Sequence, residues 1–168
     1  MALRKIVTLG DETLRRECKK VDKFNLRLSM LLKDMADTMY DAEGVGLAAP
    51  QVGILRRIAV VDIGDHLYEL VNPEIIYRSE EQQTGMEGCL SLPDRRGIVT
   101  RPRKVTVRAQ DRHGRTFEVE AEGFLARAMC HELDHLDGHL YIDIMERELS
   151  EEEIQEYARS QELTEDRE

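Results

Sequence analysis

After Asn25, a residue suited to capping a helix, apolar side chains fall at Leu28, Leu31, Leu32, Met35, Ala36 and Met39. That recurrence at i, i+3, i+4 and i+7 predicts an amphipathic helix, and Gly44 stands just beyond its expected end. Short β-like runs follow at Arg57–Ile63, at Leu67–Asn72 ahead of Pro73, and at Glu74–Arg78. Val105, Val107 and Ala109 then alternate with Lys104, Thr106, Arg108 and Gln110. Phe117, Val119 and Ala121 resume the alternation after Asp111-Arg-His-Gly114, so the segment reads as a hairpin with a four-residue turn. Helical spacing returns from Phe124 to Asp137, with Gly138 placed to end it, and Ser150 with Glu153 makes a capping box for a last, charged helix.

Strands and helices stand in blocks rather than alternating as βαβ units. An α+β domain with antiparallel sheet follows, and a doubly wound parallel sheet does not. The 168 residues suit one domain, and no repeat or Pro/Gly/Ser linker divides them. With 35% charged and 41% hydrophobic residues the composition is globular rather than disordered. No apolar run approaches the roughly 20 residues of a spanning helix, so no membrane role is expected. Asp11 and Glu12 interrupt the N-terminal segment before a signal-peptide apolar stretch forms. Cys18, Cys89 and Cys130, an odd and scattered set, argue against a disulfide framework, and a cytoplasmic location is expected.

Charge refines this picture. The 34 Asp+Glu against 24 Lys+Arg leave a net of −10, which argues against DNA as a partner. Residues 146–168 hold 10 acidic and 3 basic side chains, a net of −7, whereas residues 1–145 carry only −3. The chain is therefore read as a body, 1–145, with an acidic helical tail of the same domain, 146–168.

The strongest chemical signal is His131-Glu132-Leu133-Asp134-His135. Residues four apart on a helix share a face, so both imidazoles can reach one metal ion. Glu132, about 100° around the helix, can lie beside a water whose pKa that ion lowers. A third ligand is needed, and spacing leaves Cys89, Cys130, His139, Asp134 and Asp137 open. Cys130 projects about 100° from His131, and His139 lies past Gly138. Cys89 sits in Glu87-Gly88-Cys89-Leu90-Ser91, between a glycine and the turn-rich Pro93-Asp94 segment.

A second signal is Gly44-Val45-Gly46-Leu47-Ala48-Ala49-Pro50-Gln51. It contains Gly-x-Gly-x-x-Ala, but the dinucleotide fingerprint needs a preceding strand and a following helix, and here the order is reversed. A close-packed loop exposing backbone to an extended ligand, with Gln51 presenting an amide donor, is the better reading.

Gly44-Val-Gly-Leu-Ala-Ala-Pro-Gln51, Glu87-Gly-Cys-Leu-Ser91 and His131-Glu-Leu-Asp-His135, in this order along the chain, resemble the three signatures of the peptide deformylases, and the likeness runs from about Arg4 to Tyr141. The resemblance implies antiparallel sheets packed around a central metal-binding helix, with an N-terminal and a C-terminal helix. It implies a metal-dependent hydrolase that removes the formyl group of formylmethionyl nascent polypeptides and releases formate. By the same likeness Cys89, His131 and His135 are the metal ligands, for Fe²⁺ first and Zn²⁺ or another divalent ion alternatively. Glu132 is the proton carrier, and the Gln51 amide with the Leu90 backbone N–H meets the oxyanion. Val45, Gly46 and Gly88 present backbone to the substrate as an added strand, with Arg96 near its path.

Two departures stand out. Cys130 occupies a place where the family more usually has Gln or another polar residue. Some members approach the ribosome through a basic C-terminal helix; this tail is acidic, so any ribosome proximity is not expected to use it. The competing readings are a zinc endopeptidase of the His-Glu-x-x-His type, with His139 or a tail glutamate as third ligand, and a binding module without catalysis.

Overall fold

The computed structural model describes residues 2–165. Asn25 caps the first helix, α1 (Leu26–Asp41), by accepting a hydrogen bond from the Leu28 amide at 3.1 Å. The αL residue after this helix is Glu43, with φ 57°, rather than the expected glycine. Gly44 is needed for a different reason: a Cβ there would come within 2.7 Å of the Leu90 side chain.

A five-stranded antiparallel sheet follows, in the order β1 (Gly46–Ala48), β2 (Ile58–Val61), β3 (Tyr68–Arg78), β6 (Lys104–Gln110), β7 (Thr116–Glu122). Strand β2 is buried at all of its positions because helices cover both faces. Ile58 and Val60 pack with Leu28, Leu32, Met35 and Met39 of α1, while Val61 packs with Ala126, Met129 and Leu133 of α2 (Phe124–Leu136). Leu32, Met35 and Met129 are fully buried, each worth about 2 kcal/mol relative to exposure. Lys104–Gln110 and Thr116–Glu122 pair in register as the alternation predicted, and the Asp111 carboxylate organises the turn by accepting from the His113 and Arg115 amides.

The two runs flanking Pro73 are a single strand. Proline lacks the ladder N–H, so the register shifts between Val71 and Glu74. Asn72 takes φ 51° at this bulge, and its side chain bonds both backbone groups of Val21.

A second sheet was not predicted by pattern: β4 (Gln82–Cys89), β5 (Leu92–Pro102) and β8 (Arg147–Glu148), in that order and antiparallel. Glycines at 85, 88 and 97 and Pro93 break the alternation by which strands are recognised. The expected turn at Pro93-Asp94 lies inside β5; the chain reverses at Leu90 and Ser91 instead.

Helix α2 runs between the two sheets and is buried almost throughout, including Arg127, His131 and Glu132. Gly138 follows its C-cap at φ 79°, where a Cβ would sit 2.6 Å from the Arg15 carbonyl oxygen. The last helix, α3 (Glu151–Glu165), begins with the expected reciprocal cap: the Glu153 amide donates to Ser150 Oγ, and the Ser150 amide donates to the Glu153 carboxylate. Its described side chains are mostly exposed; of the tail expected as a helix, residues 166–168 lie outside the described residues. No helix among the described residues is long and apolar enough to cross a membrane.

Candidate active site

Two elements supply the donors. On α2, His131 and His135 face one way, with ring centroids 5.1 Å apart. Cys89 closes β4 at the tip of the hairpin, its Sγ 3.4 Å from His135 Nε2. One donor atom from each of these three residues lies within 4.8 Å of the others. Among the described residues this is the group that converges, and the alternatives left open by spacing do not join it. Cys130 is packed in the core with Val61 and Leu70, Asp134 is bonded to Arg101, Asp137 to Arg57, and His139 is exposed beyond Gly138.

His131 is oriented by Glu87, which accepts from Nδ1 at 2.9 Å and leaves Nε2 for the centre. The same carboxylate takes both branches of the Arg101 fork at 2.9 Å and Arg127 Nη1 at 2.6 Å. Burial would raise the Glu87 pKa, but the hydrogen bonds from His131 and Arg101 and the Arg101 charge outweigh it and hold the group at about 2. Burial also pushes His135 well below its ordinary range, keeping the imidazole in the neutral form that ligates metals.

Glu132 is buried, and its Oε1 has no hydrogen-bond partner among the described residues. Burial raises this carboxyl to about 7, against the opposing pull of His131. Gln51 is fixed in direction: its Oε1 accepts from the Ala48 amide at 2.9 Å, so Nε2 is turned to Cys89 Sγ (3.4 Å) and Ser91 Oγ (3.1 Å).

Cys89, His131, Glu132 and Gln51 open on a cavity of about 560 Å³, whose wall also includes Val45, Gly46, Gly88, Leu90 and Arg96, all five expected near the substrate. Gly46 belongs to β1, which ends the sheet and pairs on one side with β2. Arg96 is half-buried and lies against Gly88, where a Cβ would meet its Cδ and Nε at 2.7 Å.

Sequence reasoning assigned no role to Glu87, Arg101 or Arg127. Arg127, four residues before His131, could have been found by the same helical spacing that paired the histidines. Nor did it foresee Tyr157, which reaches the cavity wall from α3 although the tail was read as a solvated helix. An acidic helix gives no sign of where tertiary folding will place its one aromatic residue.

One thiolate and two imidazoles, borne on two rigid elements with an orienting carboxylate behind one ring, fit a borderline divalent cation such as Zn²⁺ or Fe²⁺.

The family described as polypeptide deformylase matches residues 3–151. A peptide deformylase of Caldicellulosiruptor bescii is 59% identical over 156 residues, which are 93% of this chain and 93% of the relative. Among solved structures, the peptide deformylase of Thermotoga maritima superposes with a TM-score of 0.86 at 40% identity, covering 88% of this chain and 100% of that one. The peptide deformylase of Synechococcus elongatus in complex with actinonin gives 0.82 at 40% identity, covering 84% and 78%.

Proposed function

The chain belongs to the polypeptide deformylase family, metal-dependent hydrolases that remove the formyl group from nascent polypeptides, and we propose that its reaction centre is Cys89, His131 and His135 with Glu132 and Gln51 beside them. The observation that carries this assignment is the convergence of one thiol and two imidazoles within 4.8 Å, with Cys89 and His131 at the wall of a cavity that Glu132 and Gln51 also line and His135 buried behind it.

Cys89, His131 and His135 would hold the metal; family resemblance puts Fe²⁺ first, and a thiolate with two imidazoles suits Zn²⁺ or another borderline divalent ion as well. When bound, such an ion lowers the pKa of a water to about 7 and polarises the formyl carbonyl. The protein's own groups do the rest. The formylated N-terminus lies along the outer edge of β1, where Val45 and Gly46 offer backbone on one side and Gly88 on the other. Glu132 takes a proton from the attacking water and delivers it to the departing nitrogen as the C–N bond breaks. The products are formate and the free amino terminus. The developing oxyanion is met by the Leu90 backbone N–H and by the Gln51 N–H that points at the Cys89 sulfur, each worth about 3 kcal/mol. Arg96 stands at the cavity wall beside the peptide path.

A nascent-chain substrate and three free thiols fit a cytoplasmic enzyme of one domain, 1–145 with the 146–168 tail. DNA and membrane partners are not proposed. The acidity of the tail directs any ribosome contact to another surface.

Replacing Cys89 with Ser tests the centre. Elemental analysis of anaerobically purified protein should show the metal lost, and formyl-Met-Ala-Ser should no longer be hydrolysed. Full metal content in that variant would sink the ligand assignment. The same wild-type preparation identifies the ion, and activity unchanged after exposure to air would favour Zn²⁺ over Fe²⁺.

A further inference from the structure

We propose that Arg127 is a positioning residue: acting through Glu87, it sets the hairpin that carries Cys89 at its working distance from the helix that carries His131 and His135. The inference rests on the ligand assignment above and adds the device that brings the two ligand-bearing elements together.

The three ligands come from two elements, Cys89 from β4 and the histidines from α2, so their spacing depends on how β4 and β5 dock on α2. Glu87, two residues before Cys89, is the joint. Its Oε1 receives Arg101 Nη2 and His131 Nδ1, and its Oε2 receives Arg101 Nε and Arg127 Nη1. Four donors occupy the four acceptor sites of one carboxylate, which leaves it no freedom to turn. Arg127 and His131 are one helical turn apart, so both approach Glu87 from the same face of α2.

Arg127 does more than bind Glu87. Its Nη1 also donates to the Val99 carbonyl at 3.0 Å, and its Nη2 to the Gln83 carbonyl at 3.4 Å. One planar guanidinium therefore contacts both strands of the hairpin. Gln83, Gly85 and Glu87 are alternate positions on β4, and a Cβ at Gly85 would lie 3.3 Å from Nη2. The side chain is laid along that face, and the missing side chain at position 85 makes room for it.

Arg101 forms a second bridge, from Glu87 to Asp134 on α2 at 2.6 Å. Asp134 lies three residues after His131 and Arg127 four before it. The two guanidiniums thus pin the helix on either side of the first histidine. Two buried cations are matched by two carboxylates, and Arg127 is only 6% exposed. A lysine could satisfy Glu87 but could not hold the fork to two carbonyls as well.

The test uses the metal-free protein, reloaded with Zn²⁺ in competition with a chromophoric chelator, and with Co²⁺ for the absorption spectrum. Arg127→Leu should bind Zn²⁺ about 10- to 100-fold more weakly. Its thiolate-to-Co²⁺ band should shift or weaken, and Arg127→Lys should recover part of the loss. Arg127 also borders the cavity, so KM separates the two roles: acting on the ligand frame, it leaves the KM of the fully loaded Leu variant for formyl-Met-Ala-Ser within about twofold of wild type. A variant with lower Tm but unchanged Zn²⁺ affinity and Co²⁺ spectrum would reduce Arg127 to a scaffold residue and overturn the proposal. A raised KM alone would overturn it in favour of a substrate contact. Should Arg127→Leu not fold, Arg127→Lys carries the decision: wild-type affinity and spectrum there refute the role of the fork. Cys89→Ser, measured alongside, separates the two readings, since equal Zn²⁺ binding in that variant and wild type defeats the ligand assignment itself.

Discussion

Glu132 occupies the space that a side chain at Gly46 would need. A Cβ built on Gly46 runs into the Glu132 carboxylate, its carbon included at 2.8 Å. The glycine of the Gly44–Gln51 motif is therefore required by the glutamate of the His131–His135 motif, and β1 comes close to α2 because position 46 carries only hydrogen.

From this contact, Gly46→Ala should displace the carboxylate by a large fraction of an ångström. Formate release should fall on the order of 100-fold while the metal stays bound. Steady-state kinetics with matched metal content check it, and a near-normal rate would mean that Glu132 does not work from this position.

Glu132→Gln keeps the shape but removes the acceptor for a proton. Turnover should drop by about 10²–10⁴-fold with KM and metal content preserved. Elemental analysis on the kinetic samples separates this from loss of the ion; a rate within tenfold of wild type would exclude the proton-carrier role.

An extended substrate on the outer edge of β1 must exchange main-chain hydrogen bonds with it. N-methylation of the first amide after the formylmethionine should raise KM by about 2- to 10-fold, the worth of one net hydrogen bond. Equal KM values for the methylated and plain peptides would place the substrate elsewhere.

At Gly138, alanine meets both a left-handed backbone and the Arg15 carbonyl. Gly138→Ala should cost about 1–3 kcal/mol, a fall in Tm of several degrees for a chain of this size. Thermal unfolding with and without Zn²⁺ measures it, and an unchanged Tm would contradict the turn geometry.

Cys18 gives a pH signature remote from the active site. Burial raises its thiol from 9.0 to about 11. The folded state therefore holds the proton that the unfolded chain releases near 9, so this contribution is complete below pH 9 and is lost as pH rises through 11. The gap corresponds to about 2–3 kcal/mol at most. Denaturant unfolding at pH 8 and 10.5 should show a steeper loss for wild type than for Cys18→Ala; parallel losses would refute it.

How far the sequence could be read depends on how local each cause is. Helix α1, the 104–122 hairpin and the Ser150 cap were legible because their determinants lie within a few residues: an N-cap, a period, a reciprocal bond. The pairing of His131 with His135 was legible for the same reason, since helical spacing alone aligns them. The β4–β5 hairpin was not, because glycines and Pro93 interrupt its alternation, and those glycines answer to neighbours that the local pattern does not show: Gly85 to Arg127, Gly88 to Arg96, Gly97 to Met145.

By itself, then, the sequence determined the α+β class, the family, the helical His pair and the acidic tail, all properties of composition, period and motif order. Residue spacing left five candidates open beside the histidines and motif resemblance pointed to Cys89, but the tertiary structure alone decided which carboxylate orients His131 and which glycines make way for Glu132 and Arg127. Those outcomes depend on packing two sheets against one buried helix. Burial then makes every unpaired polar atom costly, so the polar groups are drawn into a network that no single segment encodes.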